Sequence, residues 1–562
     1  MRIPLSFPTM SFARKYARAK RMVRLDAPKV DSRRVAKNTL VLYFRMLAVM
    51  VVGLFTSRIQ LQALGIENYG LYQVTMATVG LFAFLNGSLG MASSRFLTVE
   101  MGHGSIGTLK RVFSTVLTAH FLMAAVIAVL LETVGMFVLD SKLNITPERL
   151  VAVKWAFHCG VIATALEITQ VPYTAVIIAR ERMAAFAFMA MYDVGIKLLI
   201  VYLLFVSPFD RLAFFATLLM LSTCTSVAIY RIYCIRHFTE SRYRHVFEWK
   251  TLKSIFGFTG WQFLSQIVFL LVFQTVTLLN QRYFGPVVVA ASAVAAGAYG
   301  YVNGFITNFK SAANPQIMKL YAAKSHLEAK ALLKETVHYS AFLLLILGVP
   351  ICFYAPEVLS LWLGDNVPQY APDFLRLILA GAFFSNFDYS MFTIICADGR
   401  MKDNTLCDLI VYSTAFALIW LSIKIWRIPY TTAIGQCLML VVLAILVKPF
   451  LLKRMANYTL SDFMQIFLSP FAALAMCVGA TYFIYWLMPR YGIYPIVGSA
   501  CAAFLNGMVV FSLVASERVQ NQIPKFLNRI GPVGAWLAGK VNSCLNGIRR
   551  FRNKIGLSRV TG

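Results

Sequence analysis

Apolar runs of about 20 residues follow one another from Ala36 to Ala515, separated by short polar connections. Each is long enough to cross a hydrocarbon layer of about 30 Å as a helix. The runs are continuous rather than alternating, so they predict spanning helices and not the strands of a transmembrane barrel. In order, the pattern predicts helices over 35–64, from the turn after residue 65 to 95, and from 111 to 138. Further helices follow over 151–178 (interrupted at Pro172), 184–206, 212–235, 255–283, 286–309, 340–363, 375–396, 406–425 and 430–452. Two more, 463–488 and 494–515, complete a count of about fourteen.

The order within this pattern repeats. The stretch GLFAFLNG, Gly80 to Gly87, returns as GAYGYVNG, Gly297 to Gly304, about 217 residues further on. ARERM at Ala179 to Met183 returns as ADGRM at Ala397 to Met401 with nearly the same offset. Two motifs repeating in one order at one spacing mark an internal duplication. The expected organisation is a basic tail over 1–34, a six-helix lobe over 35–236 and a polar linker over 237–254. A second six-helix lobe over 255–454, two additional helices over 455–515 and a basic amphipathic tail over 516–562 follow. The fold class is an all-α polytopic membrane protein.

Composition agrees: 59% of the 562 residues are hydrophobic and 14% charged, against roughly 25% charged in soluble domains. The formal charge of +29 first suggests nucleic acid, but its placement argues against that. Eleven Lys or Arg lie before Asn38 and nine after Ser516, and alternate loops carry Lys110, Arg180, Lys319 to Lys334, Arg400 and Lys453. This is the pattern of cytoplasmic loops and tails facing anionic lipid. With an even number of spans, both termini are expected to be cytoplasmic. The ten cysteines are scattered without metal-ligand spacing.

Polar side chains inside the apolar runs are the candidates for chemistry, because they are costly at membrane depth unless they face a cavity or a partner. The first helix carries Arg45 and Arg58. The fifth carries Asp193 and Lys197 at the spacing of a helix-surface ion pair. The fourth holds Lys154, His158 and Glu167, the eighth ends near Lys310, and the tenth contains Asp388. On the seventh helix, Gln262, Gln266, Thr277 and Asn280 fall within an arc of about 60°, with Gln274 and Gln281 beside it. Such a stripe lines a water-filled cavity or bonds to neighbouring helices. Asp193 and Lys197 read either as a neutralised structural pair or as a functional one; the ARERM and ADGRM loops read as turn-and-anchor features or as substrate sites.

Absences narrow the classes. There is no G-x-x-x-x-G-K-[ST], no H-E-x-x-H, no G-x-S-x-G and no D-x-D, which argues against an ATP-driven pump and a membrane-embedded hydrolase or transferase. The short connections leave no room for an inserted catalytic domain.

The run KNTLVLYFRMLAVMVVGLFTSRIQLQALGIENYGLYQV, Lys37 to Val74, and FLNGSLGMASSRFLTVEMGHG, Phe84 to Gly104, resemble the polysaccharide-transporter branch of the multidrug/oligosaccharidyl-lipid/polysaccharide flippase superfamily. They look most like its O-antigen (Wzx-type) flippases, and the turn LG-x-x-x-YG-x-Y at Leu64 to Tyr72 carries the likeness best. The resemblance implies a MATE-like fold and export of an undecaprenyl-diphosphate-linked oligosaccharide across a bacterial cytoplasmic (inner) membrane by alternating access. It implies no enzyme activity and no cofactor, with H⁺ or Na⁺ as coupling ion. Implied partners are the lipid-linked substrate, membrane lipids, and polysaccharide polymerase and glycosyltransferases, with no nucleic acid. The residues then expected to bind the diphosphate are Arg45, Arg58, Lys197 and Lys310. Gln262, Gln266, Gln274 and Asn280 would form the sugar path, and Asp193 or Asp388 would couple to the ion. A cation-coupled drug exporter of the same superfamily is the alternative, and a glycan-modifying membrane enzyme the more distant one.

Overall fold

The computed structural model describes residues 32–81, 106–142, 145–180, 182–243 and 249–487, with 97, 497–499, 501–502, 539 and 543. The side chains of Arg45, Gln262 and Gln266 lie outside those described, as do most of the first GLFAFLNG copy and nearly all of the expected helix over 494–515. Among the described residues every regular element is helical. Twelve helices among the described residues are long and apolar enough to cross a membrane; this is a multi-pass membrane protein. One of the twelve fuses two predicted helices, α1 (Ser32–Gly80), across a kink at Gly65.

That kink explains the turn LG-x-x-x-YG-x-Y. Gly65 takes φ +77° and ψ 164°, a conformation open to glycine and costly for other residues. A broken helical turn strands carbonyl oxygens. Here Arg211 Nη1 donates to Ala63 O at 2.9 Å and Asn68 Nδ2 to Leu64 O at 3.0 Å. Replacing Arg211 by alanine leaves the Ala63 carbonyl without that donor and should cost about 1–2 kcal/mol. The check is the thermal midpoint in detergent, which Arg211→Lys should partly restore.

The first half continues with α2 (Ile106–Leu130), a π-helical turn at Leu131–Gly135 and α3 (Met136–Lys142). Then come α4 (Pro147–Ala179), α5 (Met183–Val206) and α6 (Arg211–His237). Contrary to expectation, Pro172 does not interrupt α4, which runs through it; membrane helices tolerate proline where neighbours satisfy the freed backbone. Asp210 caps α6, its Oδ1 accepting from Leu212 N and Ala213 N at 3.0 Å each.

The second half holds α7 (Trp249–Phe284), α8 (Pro286–Ala322), α9 (His326–Phe353) and α10 (Ala355–Leu363). It ends with α11 (Ala371–Asp398), α12 (Met401–Trp426), α13 (Thr431–Val442), a π-helical turn at Leu443–Val447, α14 (Lys448–Ala456) and α15 (Leu460–Leu487). The expected helix over 340–363 is displaced: α9 starts at His326 and stops at Phe353, and α10 takes the rest. The polar first turns of α9 are held by α15, with Lys330 Nζ 2.7 Å from Asp462 Oδ2 and Lys334 Nζ 3.0 Å from Gln465 Oε1. Hydropathy placed the helix too late because tertiary partners, not apolarity, carry its beginning.

Separate cores serve the two halves, one around Phe113 and Phe157 on α2 and α4, the other around Phe387 and Leu345 on α11 and α9. A third core bridges them: Leu61 and Leu64 of α1, Val201 of α5, and Ala290, Ala291 and Val294 of α8. Between membrane helices the driving force is close packing rather than water exclusion. The small side chains of AASAVAAG let α8 lie against both α1 and α11.

Candidate functional site

The turn motifs ARERM and ADGRM occupy matching places, the first between α4 and α5, the second between α11 and α12. Each uses an arginine to fasten the chain after the next helix but one. Arg180 Nε donates to Glu240 Oε1 at 2.7 Å, and Glu240, just beyond α6, is buried. Arg400 donates to Asp398 and to Met455 O at the end of α14. In both copies these arginines are anchors.

Five helices, α1, α7, α8, α11 and α13, enclose a cavity of about 630 Å³. Its polar lining is amide and hydroxyl: Gln73, Gln274, Thr277, Asn280, Asn303 and Gln436. Aromatic rings of Phe269, Phe273, Tyr299 and Phe374 complete the wall, and no charged side chain is among the described lining residues. Asn280 is 2% exposed, and its Oδ1 has no hydrogen-bond partner. A buried amide oxygen left unpaired is costly, so it marks a place where a donor belongs. The first glycine of one copy of the glycine-framed motif packs on a lining residue, and the second copy contributes to the wall. Gly80 lets α1 approach so closely that an added Cβ would lie 2.7 Å from Gln274 Nε2, and Asn303 of the second copy lines the wall.

A second cavity, of about 370 Å³, lies between α4, α5 and α6. It gathers Glu167, Asp193 and Lys197 with Gln170, Ser222 and Ser226. Asp193 Oδ1 accepts from Ser226 Oγ at 2.6 Å. The i,i+4 ion pair expected between Asp193 and Lys197 is absent from the ion pairs of the described residues; both side chains instead face the cavity. Lys154 and His158 pair across to the π-helical turn and α3, Lys154 with Asp140 at 2.8 Å and His158 with Glu132 at 3.0 Å.

The described members of the expected cationic set, Arg58, Lys197 and Lys310, are not brought together. Arg45 lies on α1, its side chain outside those described. Arg58 on the same helix reaches the turn after α10, with Nη2 3.5 Å from where a Cβ on Gly364 would stand. Lys197 is in the second cavity. Lys310 is buried, donating to Asn386 O at 2.9 Å with its ammonium 5.1 Å from the Tyr389 ring centre. Of the expected sugar path, Gln274 and Asn280 line the first cavity, and Gln262 and Gln266 lie on the same helix, α7. Asp388 belongs to a buried cluster that sequence reasoning missed. There Lys448 Nζ lies 2.8 Å from Asp408 Oδ1, 2.6 Å from Asn404 Oδ1 and 3.6 Å from Asp388 Oδ1. The signal was present, since Asp408 and Lys448 are ionisable residues inside apolar helices.

No family model matches the chain, and no curated protein matches it. Solved structures do. The chain is similar to the lipid II flippase MurJ in an inward closed conformation, with TM-score 0.61 at 12% identity, over 85% of this chain and 98% of that one. The fold is the MATE/MurJ fold. An inward-facing multidrug resistance MATE family transporter of the MOP superfamily aligns with TM-score 0.59 at 12% identity, over 74% of this chain and 99% of that one. A MOP superfamily transporter from Pyrococcus furiosus, described as having a binding pocket of reverse polarity, aligns at 0.53 with 14% identity, over 75% and 97%.

Proposed function

We propose that the chain is a flippase that carries an undecaprenyl-diphosphate-linked oligosaccharide, a unit of O-antigen, capsule or exopolysaccharide, from the inner to the outer leaflet of a bacterial cytoplasmic membrane. The observation that carries this reading is Asn280, a lining residue with a buried, unpartnered Oδ1, in a cavity whose described walls are amides, hydroxyls and aromatic rings without charge. Sugar hydroxyls donate to such oxygens, and sugar faces stack on such rings. Two six-helix lobes, 35–236 and 255–454, would alternate access to this cavity while both termini stay cytoplasmic. Arg45 and Arg58 on α1 are the proposed diphosphate ligands, since guanidinium groups pair well with phosphate oxygens. Lys197 adds charge in the second cavity, where Asp193 and Glu167 would couple movement to H⁺ or Na⁺. Lys310 and Asp388, enclosed in the buried cluster, are proposed for structure instead. The proposed partners include a polysaccharide polymerase and glycosyltransferases, and the protein itself acts as a transporter rather than an enzyme.

A second reading, a cation-coupled multidrug exporter, is favoured by Phe269, Phe273, Tyr299 and Phe374 in a cavity without cationic lining, because aromatic faces attract organic cations. Complementation separates the two. In a strain lacking its lipid-linked oligosaccharide flippase, the chain should restore surface glycan, and Asn280→Leu at equal membrane abundance should lower that restoration about tenfold. If the chain instead lowers accumulation of a cationic dye and restores no glycan, the exporter reading replaces the first.

A further inference from the structure

The cluster around Lys448 lies outside both cavities and is built like a cation site. Lys448 is the first residue of α14, directly after the π-helical turn at Leu443–Val447. Its ammonium has Asn404 Oδ1 at 2.6 Å, Asp408 Oδ1 at 2.8 Å and Asp388 Oδ1 at 3.6 Å. Asn404 is aimed by its own amide, which donates to Asp408 Oδ2 at 2.7 Å and leaves its oxygen towards the lysine. Lys448 is 2% exposed, Asp408 4% and Asn404 0%.

A simple ion pair needs one carboxylate. Here one amide oxygen and two carboxylates from α11 and α12 converge on a single positive charge, and Asp388 Oδ1 makes no hydrogen bond of its own. Hard oxygen ligands of this kind, carboxylate and amide together, are what a small cation collects from a protein. An ammonium with three donors satisfies the same oxygens. Lys310, which donates to Asn386 O, lies close enough to Asp388 to interact with it electrostatically.

We propose that Lys448 is a tethered counter-cation: its ammonium fills a monovalent-cation site formed by Asp388, Asn404 and Asp408, so that this half of the protein carries its cation on the chain instead of taking one from solution. Cutting the side chain back should expose a site for a small free cation, with a primary ammonium such as methylammonium the best match. The inference concerns the buried cluster alone and holds whatever the cavity carries.

The test reads stability, which keeps it separate from transport. Full-length protein is unfolded by heat in sodium, methylammonium and choline chloride, choline being too large for the site. The wild type should unfold at one temperature in all three. Lys448→Ala should unfold several degrees lower in choline, and saturating methylammonium should return about 3 °C or more of that loss. Recovery in sodium as well would show that the site accepts an alkali ion and would equally support it. The double variant Lys448→Ala/Asp408→Asn, lacking one carboxylate, should lose the response. Three results would overturn the inference: no cation response in Lys448→Ala, an equal response in the wild type, or a full response in the double variant. If Lys448→Ala does not survive extraction, the folded yield of a fluorescent fusion is compared in cells grown with and without methylammonium. A rise confined to the variant supports the site, and identical yields reject it.

Discussion

Gly70→Val should abolish accumulation of folded protein in the membrane, and Gly70→Ala should lower it severely. Gly70 sits in α1 a turn and a half beyond the Gly65 kink. A Cβ added there would stand 2.0 Å from Pro286 O, 2.7 Å from Pro286 C and 3.0 Å from its Cα. These are backbone atoms, so no rotamer change relieves the clash. Nor can the local chain yield: Pro286 opens α8 with its φ fixed by the ring, and Gly285 before it holds φ +85°. The whole of α8 would have to leave α1, opening the core that joins the halves at Leu61, Leu64, Ala290 and Ala291. Overpacking a core that can adjust costs about 1–3 kcal/mol; a clash with fixed backbone exceeds that range. The measurement is the monodisperse yield of a fluorescent fusion. Gly297→Ala is the control, because nothing lies within 4 Å of its added Cβ and its yield should match the wild type. A wild-type yield for Gly70→Val would refute the contact.

The sequence turn LG-x-x-x-YG-x-Y was thus legible as a landmark, and its two glycines do different work. Gly65 supplies a backbone conformation, while Gly70 supplies absence of bulk against a helix more than 200 residues away. Only the first can be inferred locally. The same division runs through the rest of the molecule. Helix class and order follow from hydropathy, because a bilayer-spanning helix needs only length and apolarity; the count does not, twelve spans among the described residues standing against about fourteen expected. The start of α9 did not, because its first turns are polar and rest on α15. Of the amide stripe of α7, Gln274, Thr277 and Asn280 line a cavity wall. Its partners Gln73, Asn303 and Gln436 come from three other helices, and periodicity within one helix says nothing of what faces it. The described cations of the expected site lie apart for a related reason. Arg58, Lys197 and Lys310 are each polar residues in apolar runs, but they stand apart, Arg58 beside the turn after α10, Lys197 in the second cavity and Lys310 against Asn386 O. Burial depth alone does not say which charges share a site. Lys448 and Asp408 satisfied the same sequence criterion as Lys310 and were passed over, although the structure joins all of them through Asp388.

Single removal of a charge from that cluster should be among the most destabilising changes available, and paired removal should not. Asp408→Leu leaves Lys448 with a weak contact to Asp388 and an amide, in a region where Lys448, Asn404 and Asp408 are all buried. Breaking a buried ion pair by removing one partner costs about 3–5 kcal/mol, because the remaining charge stays desolvated. Set against total stabilities of about 5–15 kcal/mol, that is enough to deplete the folded protein at growth temperature. Lys448→Met should do the same with the opposite sign of residual charge. In Asp408→Leu/Lys448→Met both go together, and Lys310 and Asp388 remain to balance each other. Replacing a buried pair by apolar side chains of similar size is often neutral or stabilising. The double variant should therefore unfold several degrees above either single variant, giving a coupling energy well beyond that of independent sites. If the three variants are equally unstable, the destabilisation comes from lost shape rather than unpaired charge. If neither single substitution matters, the cluster is hydrated enough to tolerate a lone ion, and the close packing of α11, α12 and α14 around it has to be held by their apolar contacts instead.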